Sequence, residues 1–300
     1  MQNPLFSVLG RSQNYVRLRE ALAKGEGPVS VFGLGEAQRM HAASALHADL
    51  GGVTLFVTPS AHYAKQTLEA VSAYHPDAML FPAREVPLNA HSFVQSQELT
   101  MQRMRVINRL VNGDGGFVIV ASIEALMQRM VMPEAIAGYS RTVRVGMTIE
   151  PKSLLKHFID AGYERVEVCE GRGQVTQRGG CIDIFPVTSD NPVRIEFFDD
   201  EVDTMREYDP LTQRSIENVM SISIPPATEL PLTRDMRQKG IAALRKYSRY
   251  EPETEKLRAG GVPDNALALL PLFSPQEYCL IDYLRDKSII LMDETAESDE

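Results

Sequence analysis

The sequence contains no tryptophan and only three cysteines in 300 residues. Cys169, Cys181 and Cys279 form an odd set without CxxC spacing, so neither a disulfide framework nor a zinc knuckle is supported. That usage fits a reducing compartment. No run of about 18 apolar residues is present, which excludes an ordinary membrane-spanning helix. The opening MQNPLFSVLGRSQ lacks the basic start and long apolar stretch of a secretory leader. A cytoplasmic protein with no membrane association is expected. Basic charge is also scarce: 31 Lys and Arg against 40 Asp and Glu give a net charge of −9. That balance disfavours sequence-independent attraction to a phosphate backbone. The six histidines, His41, His47, His62, His75, His91 and His157, form no HExxH or HxH pattern and have no cysteine at ligand spacing. Solvent-facing helix positions account for them without a metal. No GxSxG or Cys-His arrangement marks a nucleophile.

What is present is enough apolar material for a sizeable core, 44% of the residues, on a length that predicts about two domains. From Gly27 to about Met130, short β-rich runs alternate with longer amphipathic ones. Val29–Phe32, Val53–Val57, Ala78–Phe81 and Phe117–Ala121 read as strands. Glu36–Leu50, Ala61–Tyr74 and Ser96–Asn112 read as helices, the last stopped by Gly113 to Gly116. Such alternation predicts a parallel sheet with crossover helices. After Gly138 a helix, Pro151–Ala161, precedes alternating runs at Arg165–Cys169, Cys181–Phe185 and Val193–Phe198, which predicts a small α+β domain with antiparallel strands. Pro225-Pro226 closes it. A helix around Arg234–Tyr250 and a strand, Ser288–Met292, follow, and a lone strand must find its sheet elsewhere. The expected organisation is therefore an α/β domain in two parts, residues 1–140 and 226–300, with an inserted α+β domain over 141–225. The acidic stretch Asp293–Glu300 reads as a cut end.

Val29–Phe32 followed by Gly33-Leu34-Gly35 and a helix has the layout that presents backbone N–H groups to an anion. A working phosphate loop also needs a second close-approach glycine, a lysine for the β- and γ-phosphates and a hydroxyl on magnesium. In the register that begins at Gly33, those three places hold Gln38, Arg39 and Met40. Methionine is no magnesium ligand, and arginine does not replace the compact lysine ammonium. The loop reads as degenerate, its glycines serving a tight turn. Asp199-Asp200-Glu201 and Asp203 lack the alternating spacing of a calcium loop and read as a hairpin turn.

The densest segment runs from Thr176 to Arg214. It contains Arg178-Gly179-Gly180, Asp183, Phe185-Pro186, then Arg194-Ile195-Glu196-Phe197-Phe198 and Asp199-Asp200-Glu201, and later Arg206, Asp209 and Thr212-Gln213-Arg214. Strand alternation puts Val193, Ile195 and Phe197 on one face and Arg194, Glu196 and Phe198 on the other. An aromatic displayed beside arginine is the mixture that concentrates binding energy at protein interfaces. Taken alone, Phe198 is as well explained by packing under a loop, and Arg178 by pairing with a nearby acid.

This string resembles the signature RG-x-x-x-D-x-FP, R-x-E-FF-x-DE, R-x-[FY]-D shared by UvrB and the transcription-repair coupling factor family (Mfd). Thr54–Pro59 with Ala64-Lys65-Gln66 resembles the second motif of helicase-type motors, and Ile289–Glu294 a Walker-B-like strand end. Leu80–Glu85, Glu98-Leu99-Thr100 and Ile119–Leu126 resemble the coupling factors' own N-terminal region.

The resemblance implies a degenerate P-loop, helicase-type parallel sheet domain with a small inserted α+β domain. It implies that the middle domain binds UvrA, and matching the motif lands the contact positions on Arg178, Arg194 and Phe198. It further implies that RNA polymerase and double-stranded DNA are engaged through regions absent from this chain, and that ATP and magnesium belong to an absent translocating motor. The expectation is thus a non-catalytic docking module of transcription-coupled nucleotide-excision repair, with no cofactor of its own, cut from a translocase that displaces stalled RNA polymerase. The alternatives are a UvrB-like ATP-dependent repair subunit and a direct binder of damaged DNA. The latter lacks an aromatic hairpin insertion, and residues 151–215 carry 8 basic against 13 acidic residues.

Overall fold

Thr54–Thr58 is an uninterrupted β-branched and apolar run, and it forms a strand buried along its whole length. Val118–Ser122 is built the same way and pairs with it in parallel, Thr54 beside Val118. The structure, a computed structural model, describes residues 4–85, 96–263, 265–274, 276–285 and 287–293. Contacts divide the chain into two units, Met1–Arg84 with Gly113–Gln128 and Tyr283–Glu300, and Glu85–Asn112 with Arg129–Asp282. This division does not follow the expected boundaries at 140 and 225: helix Gln97–Asn112 and the segment up to Asp282 belong with the antiparallel strands.

In the first unit a four-stranded parallel sheet runs in the order Ile289–Met292, Thr54–Thr58, Val118–Ser122, Met79–Phe81. The chain's last strand finds its partner at the 54–58 strand, Thr54 beside Ile289. Helix Glu36–Leu50 starts at Gly35, whose N–H donates to Gln38 Oε1 at 2.9 Å, and stops at Gly51 with φ 67°. Helix Ala61–Ser72 is capped by Ser60, whose hydroxyl accepts from the Tyr63 N–H. Met40, Ala43, Phe56, Ala64, Val71, Val118 and Val120 form the core between helices and sheet. Gly116 also does more than stop a helix. A Cβ there would lie 2.5 Å from the Gly52 carbonyl oxygen, so the backbones leading into two neighbouring strands meet closely.

Val29–Phe32 is not a strand. Both sides of the 54–58 strand are taken, and the segment pairs with nothing in the sheet. Its side chains face outward, Phe32 at 88% exposure.

In the second unit six strands lie in an order that reverses the sequence: Ser215–Asn218, Glu201–Tyr208, Val193–Phe198, Cys181–Phe185, Gln174–Arg178 and Glu164–Arg165. All neighbours are antiparallel except the last pair. Of the expected Arg165–Cys169 run only Arg165 is strand, as the end of Glu164–Arg165; the Val166 N–H still donates to the Val175 carbonyl at 3.0 Å, and the chain then leaves the ladder before the 171–173 bend. Helix Pro151–Asp160 lays Leu154, Leu155 and Phe158 on a core that includes Val175, Ile182, Ile184, Val193 and Ile195. Arg141–Arg144 pairs with Ser221–Ile224 as a separate two-stranded ribbon. After the two prolines, Glu229 is buried against Arg103 of helix Gln97–Asn112. Nε and Nη2 of the arginine donate to the two carboxylate oxygens at 2.8 and 2.9 Å. Among the described residues no helix is long and apolar enough to cross a membrane.

Candidate functional site

Residues directly opposite each other in an antiparallel ladder project to the same side of the sheet. The register therefore places Thr176 and Arg178, Asp183 and Cys181, Arg194 and Glu196, and Arg206 and Thr204 on the face away from the core. One end of that face is closed. Thr176, Asp183 and Tyr208 are buried there, with the Thr176 hydroxyl donating to the Glu167 carbonyl and the Tyr208 hydroxyl to the Cys169 carbonyl, each at 3.3 Å. Burial, aided by the nearby Asp183 carboxylate, pushes the Cys169 thiol up to about 12.

The other end is open, and Phe198 stands on it at 79% exposure while Phe197 packs toward the core. Its neighbour across the sheet is the turn Gly179-Gly180, which offers no side chain to cover the ring. The Phe197 N–H donates to the Gly180 carbonyl at 2.9 Å, and Gly179 has φ 57°, a conformation that favours glycine. Arg178 closes the preceding strand beside this turn and is exposed. It pairs with Cys181, which pairs with Glu196, two residues before Phe198. Glu196 is held by Arg206 through an ion pair.

Arg194 shares the face but is engaged within the domain. Its Nε and Nη2 donate to the two Asp183 oxygens at 2.7 and 2.8 Å, Nη2 also reaches Gln213 Oε1 at 3.1 Å, and the guanidinium lies 4.8 Å from the Tyr208 ring centroid. The Asp183 carboxylate raises the arginine's pKa still further. The structure thus brings Arg178 and Phe198 to one open end and sets Arg194 in the closed part. Sequence reasoning missed Asp183, Tyr208 and Gln213 as its partners. The Asp183–Arg194 match is an opposite-charge cross-strand pair, detectable once the register is known.

The residues of the glycine loop each have another occupation. Gln38 caps the helix start, and Met40 is buried in the core. Arg39 Nη1 donates to the Leu34 carbonyl at 3.2 Å, and its Nε lies 3.2 Å from an oxygen of Asp293. Gly33 has φ 79°, as a turn glycine should. Glu294 and the rest of the acidic end lie outside the described residues, as does His91.

The other histidines correct the expectation of solvent-facing positions, except for the exposed His62. His41, His75 and His157 donate through Nε2 to the carbonyls of Leu5, Ser44 and Tyr139, and His47 Nδ1 lies 2.9 Å from the Thr54 hydroxyl. No group of three or more His, Cys, Asp or Glu that could hold a metal occurs among the described residues. The carboxylates from Asp199 to Asp203 sit at a hairpin turn, with Phe198 opposite Glu201 and Asp199 at φ 57°.

The family model for the UvrB interaction domain matches residues 142–230. The chain is similar to the transcription-repair-coupling factor of Bacillus subtilis, 29% identical over 310 residues that cover 97% of this chain and 26% of the relative. Likeness to the same-named protein of Haemophilus influenzae is 30% over 80% of this chain and 21% of that protein, and to that of Staphylococcus haemolyticus 30% over 73% and 20%. The chain spans about a quarter or less of the length of the curated relatives it matches. With a UvrB interaction domain at 142–230 and likeness over nearly its whole length, the chain belongs to the transcription-repair coupling factor family, as its N-terminal UvrB-homology module.

Proposed function

We propose that this module serves transcription-coupled nucleotide-excision repair as a non-catalytic docking element that recruits UvrA through the open end of its six-stranded sheet. The single observation that carries this reading is Phe198. A phenylalanine at 79% exposure, beside a glycine turn that leaves its ring uncovered and an exposed Arg178, is the aromatic and arginine mixture in which interface binding energy concentrates. Arg178 and Phe198 are the contact residues, and Arg194 supports the surface from within. The first unit is a degenerate helicase-like scaffold that takes no nucleotide. Contacts with RNA polymerase and DNA, and the ATP-driven translocation, belong to parts of the whole protein outside this chain.

The test is calorimetric titration of UvrA into the 300-residue chain and its Arg178→Ala and Phe198→Ala variants. Each substitution is expected to cost about 2 kcal/mol of affinity, with the thermal midpoint unchanged because both side chains are exposed. Unchanged affinity in the double variant refutes the site. For Arg194→Ala the midpoint falls as well, since Asp183 is left buried without its partner.

A further inference from the structure

The open end of the six-stranded sheet carries one more large apolar side chain. Strand Ser215–Asn218 is an edge of that sheet, and its register with Glu201–Tyr208 sets Asn218 beside Arg206. The ladder runs one step further, where the Val219 N–H donates to the Met205 carbonyl at 3.0 Å and both side chains pack toward the core. Alternation then turns Met220 to the face of Thr204, away from the core, and it stands there at 71% exposure. The chain bends at this point, so that Ile222, three residues after Val219, returns to the core. The backbone of Met220 is fixed all the same, because its carbonyl accepts from the Val145 N–H at 3.1 Å.

In this register Met220 extends a row that crosses the sheet through Thr204, Glu196 and Cys181 to Arg178. Arg178 and Met220 are its two flanks, four strand spacings or about 19 Å apart. Phe198 lies on the middle strand, two residues beyond Glu196 toward the open end. Arginine, phenylalanine and methionine are all enriched at protein interfaces, and the span fits a contact patch of standard size, about 800 Å² per partner. The polar groups between the flanks are already paired. The Thr204 hydroxyl donates to one Glu196 oxygen at 2.8 Å, and Arg206 forms an ion pair with the other. A partner can therefore exclude water from this floor without stranding a charge, which suits an apolar counterpart.

We propose that Met220 is a further docking residue, and that it and Phe198 together take up an apolar strip of UvrA while Arg178 binds at the flank. The proposal rests on the docking function argued above and adds to it a second apolar anchor.

The experiment titrates UvrA into the 300-residue chain carrying Met220→Ala, Met220→Leu, Leu211→Ala or Phe198→Ala, at low and high salt, with the thermal midpoint of each variant measured alongside. Met220→Ala is expected to weaken binding about tenfold, by the same factor at both salt concentrations, and Met220→Leu by no more than about twofold. Leu211 is the control. At 87% it is more exposed than Met220, but it lies on the loop beyond the other end of the 201–208 strand, and Leu211→Ala is expected to leave affinity unchanged. If Phe198→Ala weakens binding while Met220→Ala does not, the second anchor is refuted and the docking reading stands. If Phe198→Ala and Arg178→Ala also change nothing, the docking reading falls with it. Equal losses from Met220→Ala and Leu211→Ala overturn the assignment, because position would then not matter. A midpoint that falls with Met220→Ala overturns it too, because the side chain would be serving the fold. Sedimentation of the chain without UvrA tests the competing occupant: self-association that Met220→Ala abolishes assigns the strip to a second copy and overturns the assignment to UvrA.

Discussion

At the scale of single residues, Arg178 and Phe198 stand exposed on one face of the six-stranded sheet, while Arg194 on that face is tied to Asp183. Alternation along Val193–Phe198 put Phe198 opposite the core face, and the side chain stands out as that pattern requires. Arg194 lies on the same side, yet the pattern gave no hint that Asp183, Tyr208 and Gln213 would occupy it, since these come from three other places in the chain. Arg103 was still less legible. An arginine inside an amphipathic helix reads as a solvated face, and only the fold shows it wholly buried against Glu229. Removing one partner of such a pair leaves a buried charge uncompensated, so Arg103→Ala or Glu229→Ala is expected to cost about 3–5 kcal/mol in urea unfolding. Replacing both at once by apolar residues of like volume is expected to recover most of that loss. A single variant that unfolds at the parent's urea midpoint would show the pair to be solvated and weak.

At the scale of elements, the helices were the most legible because their ends are chemically marked. Glu36–Leu50 runs between Gly35 and Gly51, and Ser60 starts Ala61–Ser72. Strands depend on partners that sequence does not name. Val29–Phe32 has the composition of a strand but joins neither edge of the parallel sheet, and the 54–58 strand is flanked on both sides. Glu201–Tyr208 escaped detection for a different reason. A bulge opposite Glu196 and Phe197 gives it one extra residue, so Val202 and Met205 are both buried although three positions apart, and the period of two is broken. Gln174–Arg178 carries too few apolar residues to alternate visibly.

Helix Arg234–Leu244 supplies a test of packing against propensity. Alanine is favoured over glycine in a helix by about 1 kcal/mol. At Gly240, however, a Cβ would lie 2.1 Å from the ring of Phe273, itself fully buried. Overpacking of this kind costs about 1–3 kcal/mol, so Gly240→Ala is expected to lower the thermal midpoint. A raised midpoint would mean that the ring can yield.

At the scale of the whole molecule, composition excluded more than it specified. It argued against a disulfide scaffold and a basic nucleic-acid footprint, whereas the division of the chain into units emerges only from contacts. Helix Gln97–Asn112 looked like one more crossover of the parallel sheet, because amphipathicity reports that a face is covered and not by what. The glycine loop likewise became intelligible only in the fold, where Gln38, Arg39 and Met40 each serve the structure. Calorimetry with ATP and magnesium is therefore expected to give no heat of binding in the micromolar range, with the parent chain and Arg39→Ala alike. Micromolar affinity that vanishes in Arg39→Ala would instead make the loop a working nucleotide site.

The pairing of Thr54 with Ile289 carries a consequence for the order in which the molecule can be made. During synthesis the 54–58 strand leaves the ribosome long before its neighbour exists, and a contact so distant in sequence carries a high entropic cost of closure. All of the second unit's described strands are made before residue 289, so they can pair while the parallel sheet still waits for its edge. A nascent chain stalled just short of that strand would hold an assembled antiparallel sheet and an unfinished parallel one, which places the second unit ahead of the first in time.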